Sequence, residues 1–314
     1  MDELVARLRA AGCVFAEDEA RILTEAAGGD AARLEELTAA RVRGLPLEHL
    51  VGWAELDGRR WLVAPGVFVP RQRSELLVRE AAERAVAGAT GTSGATGTSG
   101  ATGTVSTDDG GTGAGRVLLV DLCCGCGALG GAVAARLLVA GHDVEVHAAD
   151  VDPAAVTCAH DNLKALADNA PSASRVLAPP GRSPETPERG RLTAHTYTGE
   201  LAQPLPADVW GRVDVVVANA PYVPTEAIGM MPPEAREHEP HAALDGGDDG
   251  LAILRRVINL APALLRPGGH LLVETGETQV SAAVEHMTTA GLIATVLTDD
   301  DLGATALLAT RPRT

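Results

Sequence analysis

From residue 116 onward the apolar positions follow two alternating patterns. RVLLVD (116–121), VEVHAA (144–149), LTAHTY (192–197), RVDVVVA (212–218), GHLLVE (269–274), IATVLT (293–298) and ATALLAT (304–310) read as strands. LGGAVAARLLVA (129–140), PAAVTCAHDNLKAL (153–166) and GLAILRRVINLAPALL (250–265) carry apolar residues every three or four positions and read as helices. VLLV and VVVA are apolar throughout, as central parallel strands are when helices cover both faces. The pattern predicts an α/β domain built on an open, doubly wound sheet.

Upstream the pattern changes. Residues 1–48 read as a small helical unit. Leu4, Val5 and Leu8 share one face, Asp30 is placed to cap AARLEELTAARV, and Gly44 stops that helix. Residues 49–72 read as a hairpin linker, because Asp57-Gly58 sits between apolar and aromatic residues. The main domain is then 73–314, with two low-complexity insertions. ATGTSGATGTSGATGT dominates 87–115, and Pro and Ser dominate 170–190; neither has apolar groups to bury, so both are expected to be disordered.

Composition narrows the function classes. The 314 residues are 46% hydrophobic but only 2% aromatic, so the core must be made of Ala, Val and Leu. No apolar run approaches the ~18 residues of a membrane span. The N-terminus carries acids and arginines at helical spacing, with no signal-peptide core. A cytoplasmic protein without membrane contact is expected. The formal net charge of −16 works against a phosphate backbone, so no nucleic-acid partner is expected. Five cysteines, an odd number, indicate reduced thiols.

Candidate chemistry begins where the first strand of the sheet ends. Asp121 is followed by Leu-Cys-Cys-Gly-Cys-Gly, entering a helix, where ligands of such sheets bind. A metal knuckle is disfavoured: Cys123, Cys124 and Cys126 are too crowded, and no second Cys/His pair follows at zinc spacing. Gly125-x-Gly127-x-x-Gly130, with Asp150 twenty residues on, fits a nicotinamide dinucleotide turn. Asp121-x-Cys123-x-Gly125-x-Gly127 fits an S-adenosylmethionine (SAM) turn equally, with Asp150 on the ribose hydroxyls. The turn alone leaves these two open. The cysteines read as small fillers. The nine histidines form no cluster along the chain, and no metal site is expected.

The fourth strand runs into Asn219-Ala220-Pro221-Tyr222, which puts a carboxamide in the same crevice. As a bare sequence this is also a strand-ending turn. VVVANAPYVP, however, resembles the Asn-Pro-Pro-Tyr motif of SAM-dependent amino-methyltransferases. GLPLEHLVG (44–52), VFVPRQRSELLV (67–78), EHEPHAALDGGDDGLAILRRVI (237–258) and LLRPGGHLLVETGETQ (264–279) narrow the resemblance to the HemK/PrmC family of protein-glutamine N5-methyltransferases. The second of these is similar to that family's Pro-Arg-Pro-Glu-Thr-Glu segment. The likeness covers nearly the whole chain except the two insertions.

The resemblance implies a class I methyltransferase fold, Rossmann-like with a seven-stranded mixed sheet, SAM as cofactor, and a protein substrate such as a translation release factor. A monomer is its default. It implies that Asp121, Cys123, Cys124, Gly125, Cys126, Gly127, Asp150, Glu200, Leu201 and Asn219 hold SAM. It implies that Asn219, Ala220, Pro221 and Tyr222 orient the substrate amide, with Arg71 helping to bind substrate. An ordinary Arg71–Glu75 surface pair at helical spacing is the alternative reading of that arginine, on an equal footing. Departures are Ala220 for the first Pro, Cys123 for the first Gly, Gln72 and Arg73 for Pro-Glu, and Glu200 where many relatives carry Asp. Asp245, Gly246, Gly247 and Gly250 read as a lid or a helix-entry turn. The alternatives are the same transfer to another protein or a small molecule, an adenine methyltransferase, a nicotinamide oxidoreductase, and a non-catalytic adaptor.

Overall fold

The computed structural model describes residues 1–90, 114–168 and 190–313. The two predicted insertions therefore lie largely outside the described residues. Both edges of the first insertion differ from expectation, since a helix continues to Thr90 and a strand already begins at Ala114. Ala87 and Ala89 favour the helix and carry it past position 86 in spite of Gly88.

Helices α1 (Asp2–Ala10), α2 (Ala16–Ala27), α3 (Ala31–Val42) and α4 (Leu47–Val51) form the N-terminal unit. Their common core is Leu8, Ala16, Ala20, Leu23 and Leu37, with Leu4 and Val5 packed against it. Asp30 caps α3 by accepting from the backbone N–H of Ala32 at 2.9 Å and Arg33 at 3.2 Å. Gly44 follows at φ +96°. Arg41 ties this unit to the main domain, donating to Glu19 at 2.6 Å and to Glu234 at 2.9 Å.

Strands β1 (Trp53–Leu56) and β2 (Arg59–Leu62) form the predicted hairpin. Asp57 and Gly58 both have positive φ, 55° and 66°, as a two-residue turn of the type that matches strand twist requires. The hairpin does more than join two units. Trp61 is fully buried in the main core, against Gly131 in the sheet domain, where a Cβ would fall 2.5 Å from the indole ring.

The main sheet contains β3 (Ala114–Leu122), β4 (His142–Asp150), β5 (Leu192–Thr198), β6 (Val213–Ala218), β7 (Leu265–Glu274), β8 (Ile293–Asp299) and β9 (Ala304–Thr310). Their order is β5-β4-β3-β6-β7-β9-β8, parallel except for the antiparallel pairs β7/β9 and β9/β8. This is the seven-stranded mixed sheet expected. All seven predicted strands are present. Val117, Leu119, Val120, Val215, Val216 and Val217 are at most 1% exposed, so the uniformly apolar runs are buried on both faces. Helices α5 (Glu75–Thr90), α6 (Ala128–Val139) and α7 (Pro153–Ala167) cover one face. Helices α8 (Ala252–Leu264) and α9 (Val280–Thr289) cover the other.

The chain reverses its winding between β3 and β6. Leu122 pairs with Ala218, and Ala218 with Val273, so the carboxyl ends of β3, β6 and β7 finish level. A crevice opens just beyond them, where an open α/β sheet leaves room for a ligand. Among the described residues, no helix is long and apolar enough to cross a membrane.

Candidate active site

The glycine turn forms one wall of the crevice. Cys123, Gly125 and Gly127 all have left-handed backbones, with φ of 56°, 53° and 74°. Cys123 thus makes the turn that a glycine makes freely, at a cost of roughly 1–2 kcal/mol. Gly127 brings α6 close to α7, since a Cβ there would fall 2.9 Å from Ala159. Burial pushes the thiols of Cys123, Cys124 and Cys126 well up, with the carboxylates of Asp121 and Asp150 adding to this at Cys123 and Cys124. Raised thiols stay protonated, so these cysteines present small uncharged groups.

Cys123, Cys124, Gly125, Cys126, Asp150, Glu200, Leu201, Asn219 and Pro221 line the crevice together. Asp150 accepts from the N–H of Gly125 at 2.9 Å and of Asp152 at 3.0 Å. Its carboxyl is pushed up, chiefly by burial. Glu200 pairs with Arg256 at 2.7 Å, and both face the crevice.

Asp121 and Gly127, expected among the cofactor ligands, are not in that lining. Asp121 is 1% exposed and accepts from the N–H of Gly130 at 2.8 Å, so it braces the turn from behind. Burial pushes its carboxyl up to about 7, with Gly130's N–H opposing and Asp150's charge adding. An acid whose folded value exceeds its unfolded value of 3.8 holds its proton in the fold after the unfolded chain has lost it. Its contribution to stability is complete below pH ~4 and falls by at most about 1.4 kcal/mol per unit as pH rises to ~7. The neutral isostere Asp121→Asn should flatten this slope. Melting temperatures from pH 4.5 to 8 test it; parallel curves for the two proteins would refute the assignment.

Arg71 also differs from expectation. It does not pair with Glu75, whose carboxylate accepts from the N–H of Asp57 at 3.1 Å. Its guanidinium lies on Glu239 and 5.2 Å from the centre of the Phe68 ring. Glu239 is buried, and burial pushes its carboxyl up against Arg71. The pair joins the 68–74 segment to the 239–243 segment, whose Phe68, Pro70, Pro240, Ala242 and Ala243 roof the crevice. No local spacing reveals a partner 168 residues away.

Asn219 follows the last residue of β6 and meets a polar group that sequence reasoning left without a role. Its Nδ2 donates to Ser74 Oγ at 3.3 Å, and Ser74 Oγ donates to Glu274 Oε2 at 2.7 Å. Tyr222 donates its hydroxyl to Glu274 Oε1 at 2.8 Å. Arg73 donates to the same carboxylate at 2.5 Å and also to the Tyr222 hydroxyl oxygen. Ala220 is buried, and Tyr222, anchored on Glu274, is not in the crevice lining. Gln279 supports the tetrad from below, donating to the carbonyl oxygens of Tyr222 at 2.8 Å and Asp249 at 3.0 Å. Ser74, Glu274 and Gln279 all lie in stretches that carry the resemblance, which was the available signal.

Two of the nine histidines meet in space. His147 and His195 pair across β4 and β5, with rings stacked at 4.8 Å. Glu145 Oε1 lies 3.2 Å from His147 Nε2 and 3.7 Å from His195 Nε2. Strand register joins two residues that lie 48 positions apart in the chain. Among the described residues this is the group whose donor atoms come near enough to hold a metal ion. Its carboxylate already carries Arg116 at 2.7 Å.

No protein-family model matches the chain. It is 32% identical to the release factor glutamine methyltransferase of Mycolicibacterium smegmatis over 273 residues, which is 86% of this chain and 76% of that one. It is 30% identical to that of Geobacter sulfurreducens over 240 residues, 76% of this chain and 64% of the relative. With that of Bradyrhizobium diazoefficiens it shares 29% over 307 residues, 92% and 86% of the two chains.

Proposed function

The chain belongs to the release factor glutamine methyltransferase family, and from that membership we propose that it transfers a methyl group from SAM to the side-chain nitrogen of a glutamine in a translation release factor. The observation that carries the reading is a carboxamide, Asn219, held at the rim of a crevice walled by the glycine turn and Asp150.

The residues present fit SAM. Asp150 offers a carboxylate to a pair of ribose hydroxyls at the end of β4, and Asp152 adds negative charge for a cationic ligand, while Glu200 is already paired with Arg256. Val151, Leu201 and Ile253 supply apolar surface for a base. Gly125 and its neighbours let the backbone come close. Bound there, SAM supplies a methyl group made electrophilic by its sulfonium.

The work of the protein is positioning. A glutamine amide nitrogen is a poor nucleophile because its lone pair is delocalised into the carbonyl. The Asn219 side-chain oxygen accepts one N–H of that amide, and the Ala220 backbone carbonyl accepts the other. Two acceptors fix the plane of the NH₂ group and favour positive charge developing on nitrogen. Alanine supplies the same carbonyl as the family's proline, so this departure costs only stiffness. Phe68, Pro70 and the 240–243 segment exclude water above the site.

The test is methyl-labelled SAM with the purified chain and a purified release factor, followed by mass spectrometry of the peptides. The expected result is one added methyl group on one glutamine. Label that goes only to other proteins of a cell extract would keep the chemistry and overturn the substrate.

A further inference from the structure

We propose that Ser74 and Glu274 are positioning residues that decide which end of the Asn219 carboxamide faces the crevice. The inference rests on the methyltransferase reading and adds a polarity device to it.

A carboxamide has an acceptor end and a donor end of nearly equal shape. Turned one way, Asn219 offers its oxygen to the substrate N–H. Turned the other way, it offers hydrogens to hydrogens, and the substrate amide is repelled. Something must choose between the two.

The choice follows from counting hydrogens. Glu274 is 3% exposed and ion-paired with Arg73, whose Nε lies at 2.5 Å. A carboxylate only accepts. Ser74 is 2% exposed, and its hydroxyl lies 2.7 Å from Glu274 Oε2, so its single hydrogen points there. What remains on Ser74 toward Asn219 is a lone pair. Only the NH₂ end of Asn219 can satisfy it, as the 3.3 Å Nδ2 to Oγ contact has it. The oxygen is thereby left for the crevice. In the flipped form two acceptors would meet with no hydrogen between them.

Glu274 is well placed to anchor this chain of donors. It is the last residue of β7, one position beyond Val273, which pairs with Ala218 next to Asn219. Its other oxygen takes the Tyr222 hydroxyl at 2.8 Å. Burial, and then the charge of Glu274, push the Tyr222 phenol well up, so its hydrogen stays on as a donor. Arg73 stands where the similar family segment carries Glu, and in this chain that departure becomes the counter-ion of Glu274.

The experiment compares wild type, Ser74→Ala, Ser74→Thr and Glu274→Gln for SAM affinity, kcat and KM with the release factor. Ser74→Ala should lower kcat about 10- to 100-fold, the usual scale for an orienting hydrogen bond behind a reactive group. SAM affinity should stay close to wild type, while the melting temperature should fall by several degrees, because Glu274 and Asn219 each lose a buried partner. Ser74→Thr keeps the hydroxyl and should recover kcat to within about threefold of wild type. Glu274→Gln can donate to Ser74, which frees the serine hydrogen for the Asn219 oxygen, so kcat should fall as in Ser74→Ala. An unchanged kcat in Ser74→Ala, beside an active wild type, would overturn the proposal while leaving the methyltransferase reading intact. Neutron diffraction of the full chain tests it without any substrate. Deuterium on Ser74 Oγ directed at Glu274, with the Asn219 ND₂ group facing Ser74, is expected. An ND₂ group facing the crevice would overturn the proposal even if wild type leaves the release factor unlabelled.

Discussion

Asn219→Ala should lower methyl transfer by about 100- to 1000-fold, the range seen when one preorganised hydrogen-bonding group is removed from a charge-developing centre. The substitution deletes the acceptor that orients the amide and leaves the glycine turn and Asp150 untouched. SAM affinity should therefore fall far less than turnover. The comparison is kcat from labelled product against SAM dissociation by calorimetry. Asn219→Asp is the sharper companion. It keeps size and acceptors but removes the hydrogens that Ser74 needs, placing a carboxylate oxygen against the serine lone pair. It should lose turnover as well. A kcat within tenfold of wild type for Asn219→Ala would mean that another group orients the acceptor nitrogen.

Gly250→Ala should cost both fold and activity. Gly250 has φ +74°, and a Cβ there would lie 2.1 Å from Gln279 Nε2 and 2.3 Å from the Tyr222 carbonyl oxygen. The methyl group would occupy the hydrogen bond that holds the tetrad from below. Gly211 is the control, because its φ is +77° with nothing within 4 Å of a Cβ. Gly211→Ala bears only the left-handed backbone cost, roughly 1–2 kcal/mol. Gly250→Ala adds a broken buried hydrogen bond with its groups unsatisfied, about 1–3 kcal/mol more. Denaturant unfolding of the two variants measures the difference, and the transfer assay should find Gly250→Ala depleted in kcat and Gly211→Ala near wild type. Equal losses in the two would refute a supporting role. The glycines at 246–250 thus read as a buttress: Gly246 donates to the Val223 carbonyl at 2.8 Å, and Asp245 accepts from Thr225 at 2.7 Å.

Much of the fold was legible because it depends on short-range rules. The seven strands followed from apolar runs of the right length. The turn at Asp57-Gly58 and the cap at Asp30 each follow from the chemistry of one or two residues. Helices α4, α5 and α9 are among the elements not read from the pattern. Helix α5 begins directly after the Pro70–Ser74 stretch, and α9 is a single amphipathic stretch of ten residues with only Ala283 and Met287 buried.

The site divides in the same way. By itself the sequence placed Gly125, Asp150 and Asn219 at or just beyond the carboxyl ends of their strands, since parallel strands all end on the same side of the sheet. It also carried the resemblance that named the chemistry. Tertiary structure alone decided that Asp121 turns inward, that Arg71 reaches Glu239, and that Ser74, Asn219 and Glu274 meet. These contacts join residues 145 to 200 positions apart, or depend on which side of a turn becomes buried. Local patterning records which face of an element is apolar. The register of parallel strands and the docking of one segment over another determine which polar atoms share a buried space, and hydrogen-bond direction follows only once they do.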